Sequence, residues 1–334
     1  MKQEQATVLS VDQLRVDYRN HSTLLPAVRS ISLQVAAGGC TGIIGESGCG
    51  KSLTCQAILG LPEPDKWCVQ AHEVLLNDQP VPIQDDRAMD AFRGSRIAMI
   101  PQNPMEALDP RLTIGTQFCE GTPRRLRKQK LVEAEALLQR MYIREPASVL
   151  RAYPFQLSGG MMQRILIAMA IAAKPQLILA DEPTTALDAT TQFEILTILQ
   201  TLQREDGIGI LLVSHDLNVI SQMADTICVM YAGEIVEYGP KALVLNHPLH
   251  PYTCGLFRSR PAFSKAPLEA MQGRPPSLEE LDRLPCAFAD RCTFASDSCI
   301  QQPHPLWQWE PGHWCRCEKG DFSHETAVGS TPRF

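Results

Sequence analysis

The chain has 334 residues, 44% hydrophobic and 20% charged, an ordinary globular balance that excludes disordered and fibrous classes. Lys and Arg number 31 against 37 Asp and Glu, and the net charge of −6 argues against broad electrostatic binding of nucleic acid. The longest useful apolar run is nine residues, 165–173, where a membrane-spanning helix needs about 20. The opening MKQEQATVLSVD lacks the apolar centre of a secretion signal, so neither a spanning segment nor export is expected.

In chain order, short β-type runs occupy residues 14–18, 27–35 and 40–44, the last leading through a glycine-rich turn into a helix at 51–59. Strands are expected at 73–76, before an Asn77-Asp78 turn, and at 97–100. Residues 117–141 have helical spacing. The pattern then alternates: helix 160–173, strand 177–180, helix 191–205, strand 208–213, helix 217–224. Such alternation implies parallel strands with crossover helices. An Ala232-Gly233 hairpin follows, between 227–231 and 234–238. After about residue 251, prolines, isolated aromatics and cysteines replace the regular periods. The expected organisation is therefore a domain over 1–250, with a helical subdomain at about 103–160, and an extension over 251–334.

Gly45-Glu46-Ser47-Gly48-Cys49-Gly50-Lys51-Ser52 fits G-x-x-x-x-G-K-[ST] in full, after an apolar strand and before a helix. The glycines let backbone N–H groups wrap phosphates, and the helix end adds partial positive charge. Lys51 is expected to reach the terminal phosphates and Ser52 to ligate Mg²⁺. The apolar run 177–180 ends in Asp181-Glu182, two carboxylates at the end of a parallel strand, where such sheets bind ligands. Asp181 is expected to hold Mg²⁺ and Glu182 to polarise the attacking water.

With Leu157-Ser158-Gly159-Gly160-Met161-Met162-Gln163-Arg164 the chain closely resembles the ATP-binding cassette (ABC) ATPases, whose signature has this form. Ser158, Gly159 and Gly160 open a helix and so offer a second anion-gripping end. By resemblance, Tyr18 is the aromatic that stacks on adenine, and Gln102 links Mg²⁺ to the transporter contact region. Asp188, in Ala186-Leu187-Asp188, belongs to the loop that crosses to the other monomer, and His215, in Ser214-His215-Asp216, contacts the γ-phosphate. The resemblance implies an α/β fold: a P-loop core with an antiparallel β subdomain, a helical signature subdomain and a small cysteine-containing extension. It also implies a head-to-tail dimer, homo- or heteromeric, with each ATP between one chain's phosphate loop and the other's signature.

Residues 247–253, His-Pro-Leu-His-Pro-Tyr-Thr, and the Pro- and Cys-bearing segment beyond resemble the dipeptide/oligopeptide/nickel branch of importer ATPases. This implies two membrane permease subunits, a substrate-binding protein, and a peripheral place on the cytoplasmic face of the membrane. The cargo, peptide or nickel, stays open. The rival is a soluble cassette ATPase of translation or DNA repair; a single cassette without a long heptad run speaks against it. Twelve cysteines are present, seven between 40 and 254 and five from 286 onward. Cys286, Cys292, Cys299 and Cys315 are separated by five, six and fifteen residues, with Cys317 as a spare. Some members of the branch hold a [4Fe–4S] cluster on four such cysteines; zinc, or thiols without metal, are the alternatives.

Overall fold

The computed structural model describes residues 6–259, 271–281 and 284–319, so residues 260–270, 282–283 and 320–334 of the expected extension lie outside the described residues. The described strands are β1 (Thr7–Asn20), β2 (Thr23–Ala36), β3 (Cys40–Ile44), β4 (Trp67–Gln70), β5 (Glu73–Leu76), β6 (Gln79–Pro80) and β7 (Ile97–Ile100). Beyond them come β8 (Leu177–Asp181), β9 (Gly209–Val213), β10 (Thr226–Tyr231), β11 (Glu234–Pro240), β12 (Trp307–Glu310) and β13 (His313–Cys315).

An antiparallel sheet runs β2-β1-β5-β6, with β4 also on β1; a larger sheet runs β12-β13-β11-β10-β3-β9-β8-β7. Pairing from β10 through β3, β9 and β8 to β7 is parallel. β3, β8 and β9 are buried at every position, as strands covered on both faces must be. Their side chains alternate between two cores. Leu177 and Leu179 pack with the valines of β1 and β2, while Ile178 and Ala180 pack with the helices Gly159–Ile171 and Ala189–Glu205. One short strand thus anchors both halves of the molecule.

The turns form where left-handed backbone is available. Asn77 and Asp78 have φ of 46° and 60°, and Ala232 and Gly233 have 47° and 83°. The stretch read as helical over 117–141 is divided: Ile114–Phe118 stops, the chain turns at Gly121 (φ 67°), and a second helix runs Arg127–Arg140. The helical spacing is real, but Gly121 and Pro123 interrupt it. At the other end of the chain, the β12–β13 hairpin continues the main sheet, with Glu237 of β11 opposite Cys315 of β13. Tyr252, Leu256, Phe257 and Phe288 join the core beneath it. Among the described residues no helix is long and apolar enough to cross a membrane.

Candidate nucleotide site

The segments after β3, β7, β8 and β9 all leave the same end of the parallel sheet, and they carry Lys51, Gln102, Glu182 and His215 respectively. The loop from Gly45 to Gly50 turns on left-handed glycines, Gly48 at φ 79° and Gly50 at φ 105°. Gly45 is required for a different reason: a Cβ there would lie 2.1 Å from the Met230 carbonyl oxygen. The helix Lys51–Ile58 begins directly at Gly50, so its unpaired N–H groups open into the loop. Lys51 is buried, and its Nζ donates to the carbonyls of Gly45 (3.0 Å) and Glu46 (2.9 Å) and approaches Cys49 Sγ at 3.8 Å. Burial holds the Cys49 thiol above its usual range, against the pull of Lys51, so it stays protonated.

Ser52 Oγ donates to Asp181 Oδ1 at 2.8 Å. Burial raises the Asp181 pKa, opposed by that hydrogen bond and by Lys51 and reinforced by Glu182. A hydroxyl and a carboxylate so placed are hard oxygen donors, a set that fits magnesium. The next residue, Glu182, has φ of 46°, uncommon for a non-glycine residue. Its Oε2 accepts from Gln102 Nε2 at 2.9 Å and from Thr185 Oγ1 at 2.9 Å, and pairs with His215 Nδ1 at 3.0 Å. Three residues, at positions 102, 185 and 215, therefore meet on one carboxylate oxygen. Thr185 escaped the sequence reading; its position three residues after Glu182, in a turn closed by the Thr185 N–H to the Glu182 carbonyl, was the available signal.

The signature residues form a second group. Ser158 caps Gly159–Ile171, its Oγ accepting from the Met161 N–H at 3.3 Å. Asp188 caps Ala189–Glu205 by accepting from the N–H groups of Thr190 and Thr191 and from Thr191 Oγ1, contacts that hold its carboxyl below the usual range. A Cβ on Gly160 would lie 2.4 Å from Thr191 Cγ2, so Thr191 seats one helix start against the other. Among the described residues no hydrogen bond joins Ser158, Gly159 or Gly160 to the phosphate loop. Tyr18, at the end of β1, is 37% exposed and meets Trp67 of β4 edge-on, with ring centroids 5.3 Å apart. Trp67 was missed because four residues are too short a run for a periodicity.

Two further residues reach the loop from the extension. Arg291 clasps the Glu46 carboxylate with both terminal nitrogens, at 2.8 and 3.0 Å, and the Tyr252 hydroxyl accepts from the Glu46 N–H at 2.8 Å. Nothing in local spacing links positions 245 residues apart.

The cysteines differ from expectation. No disulfide joins the described cysteines, and no group of three or more His, Cys, Asp or Glu among the described residues is placed to hold a metal ion. Burial pushes Cys286 up to about 11, and both it and Cys292 are further opposed by Cys299 and Cys317. Cys315 is buried on β13, where burial first and then Glu237 oppose its ionisation. Strand alternation turns Cys315 into the sheet's interior beside Glu237, while Cys317 lies past the end of the ladder.

The "ABC transporter" family profile matches residues 28–185, and "Oligopeptide/dipeptide transporter, C-terminal region" matches residues 236–299. The probable D,D-dipeptide transport ATP-binding protein DdpD of Escherichia coli K12 is 39% identical over 315 residues, 93% of this chain and 96% of that protein. The dipeptide transport ATP-binding protein DppD of Bacillus subtilis 168 is 41% identical over 291 residues, 85% of this chain and 86% of that protein. Among solved structures, the dimeric post-hydrolysis state of the ATP-binding cassette MJ0796 bound to ADP and Pi superposes with a TM-score of 0.59 at 28% identity. That match covers 70% of this chain and 98% of the other.

Proposed function

The chain belongs to the ATP-binding cassette transporter ATPases, in their oligopeptide/dipeptide branch, and we propose that it powers peptide import by hydrolysing ATP at the site built on Lys51, Asp181 and Glu182. The observation that supports this most is the meeting of Gln102, Thr185 and His215 on the Glu182 carboxylate, beside the Ser52–Asp181 pair.

The residue roles follow from their chemistry. The loop amides of Gly45, Ser47, Gly48, Cys49 and Gly50 and the Lys51 ammonium hold the phosphates; Lys51 exchanges its present carbonyl partners for phosphate oxygens. Ser52, Asp181 and Gln102 would hold magnesium, which when bound offsets phosphate charge. Glu182 orients water for in-line attack on the γ-phosphorus and takes up its proton as the bond to ADP breaks, leaving ADP and inorganic phosphate. His215 lies within reach of the same centre through Glu182 and steadies the γ-phosphoryl group. Tyr18, with Trp67, offers an aromatic surface to adenine.

Ser158, Gly159, Gly160 and Asp188 form a group separate from the loop, and we assign them to the nucleotide of a facing cassette, a second copy or a companion ATPase. Residues 1–250 then act as the nucleotide-binding domain. The segment at about 103–160 passes its movement to two permease subunits at the cytoplasmic face of the membrane, and a separate binding protein delivers the cargo. Dipeptide or oligopeptide is the cargo favoured by the two relatives above; neither is described as a nickel transporter. A soluble role in translation or repair is not favoured by that company. For the extension, an iron–sulfur cluster on Cys286, Cys292, Cys299 and Cys315, with Cys317 as a spare, is supported by the number and chemistry of the thiols alone. Anaerobic purification with iron and sulfide analysis tests it: about four of each per chain supports the cluster, and a colourless, metal-free stable protein removes it.

The catalytic assignment is tested by Glu182→Gln. ATP binding is expected to persist while hydrolysis falls by at least about 100-fold, the scale for loss of a general base. Wild-type turnover in that variant would remove Glu182 as the base.

A further inference from the structure

Glu46 places a carboxylate on the loop whose other groups are set out to receive phosphates. A bare negative charge there, within a Debye length of about 8–10 Å, opposes a triphosphate. The structure answers that charge from the far end of the chain. Arg291 lies with its side chain 5% exposed and makes a two-pronged ion pair with Glu46, at 2.8 and 3.0 Å. The guanidinium is fixed on its other sides: Nε donates to the Gln272 carbonyl at 2.9 Å, and Nη1 donates to the Tyr231 hydroxyl at 3.2 Å. It also lies 5.7 and 5.8 Å from the ring centroids of Tyr231 and Phe288.

The backbone of Glu46 is held by the same region. Its N–H donates to the hydroxyl of Tyr252, a fully buried ring packed on Tyr231 and Phe288, and its carbonyl accepts from Lys51. Side chain, N–H and carbonyl of one loop residue are therefore all engaged, two of the three by groups beyond residue 250.

We propose that Arg291 is a positioning residue for ATP binding: from the extension it masks the Glu46 carboxylate and, with Tyr252, holds the phosphate loop ready for the nucleotide. This explains why an acidic residue is compatible with an anion-binding loop in this chain. It also makes the extension a working part of the nucleotide site. The proposal rests on the reading of that loop as the ATP site, given above.

The test is Mg-ATP affinity, measured on the full chain by calorimetry. Arg291→Gln exposes the Glu46 charge and is expected to raise the Kd about 10-fold. Adding Glu46→Gln removes the charge that needed masking and should return the Kd to within about threefold of wild type. A residue that merely stabilises the fold would not be rescued in this way, since the double variant has lost both partners. Should Arg291→Gln fail to fold, Arg291→Lys carries the test. It keeps a cation without the two-pronged grip, and is expected to raise the Kd about threefold and to be restored by Glu46→Gln. Unchanged affinity in the folded Arg291 variants, or weakening that Glu46→Gln does not relieve, overturns the proposal. Lys51→Ala separates it from its premise: if that variant binds ATP as well as wild type, the reading of the loop itself fails, whereas equal binding by wild type and the Arg291 variants faults Arg291 alone.

Discussion

Asp181 shows what the site costs a single residue. Burial raises its pKa, and the Ser52 hydrogen bond and Lys51 only partly oppose this. A carboxyl whose folded pKa exceeds its unfolded value of about 3.9 binds its proton more tightly in the fold. Its ionisation therefore lowers stability at every pH above the folded pKa, and the penalty fades as pH falls towards the unfolded value. Asp181→Asn keeps an acceptor for Ser52 and removes the charge. Thermal melts of the nucleotide-free protein at pH 7 are expected to show a higher midpoint for the variant, the gain shrinking towards pH 4, while hydrolysis is lost. A lower midpoint, or a gain that grows in acid, would contradict this account. Glu182 repeats the theme in the backbone: φ of 46° is tolerated where three partners fix the carboxylate, and tolerated strain of this kind gathers at functional sites.

At the scale of elements, the contact between the helices Gly159–Ile171 and Ala189–Glu205 depends on the missing side chain of Gly160. Alanine is the better helix former by about 1 kcal/mol, so propensity alone favours Gly160→Ala. The geometry says otherwise, because the new methyl would meet Thr191 Cγ2 at 2.4 Å. Overpacking of this kind costs about 1–3 kcal/mol. Gly160→Ala is therefore expected to lower the melting midpoint and impair hydrolysis. Adding Thr191→Ser, which deletes Cγ2 but keeps the hydroxyl bonded to Asp188, should recover both. A midpoint that rises in the single variant would show that the two helix starts are not fixed against each other.

These elements were largely readable because their signals are local. β3 and β5 fall where their apolar runs lie, and the helix after Gly50 follows from the loop motif. The helix boundary near Gly121 was lost because helices lie on both sides of it and only the short turn at Gly121 and Pro123 separates them.

The whole molecule is where local reasoning stops. β12 is Trp307–Glu310, four residues exposed at every position, and β13 is three residues long, runs too short to read as strands. β13 becomes a strand by pairing with β11, some seventy residues earlier in the chain, and β12 by pairing with β13. Spacing alone does not show that Cys315 lies on a buried strand opposite Glu237 while Cys317 follows the end of that strand. The Arg291–Glu46 pair is of the same kind: both residues look like ordinary surface charges until the fold joins them. Motifs placed the chemistry, and long-range pairing supplied the residues that support it.

The central claim is that the phosphate loop and the Ser158–Gly160 helix start of one chain serve different nucleotides. The most direct measurement is the structure of the assembled transporter carrying Glu182→Gln with saturating Mg-ATP. The account predicts ATP gripped by the Lys51 loop of one cassette and by the signature helix start of the cassette opposite. A nucleotide held by a lone loop, with Ser158 in open solvent and no cassette facing it, would contradict it.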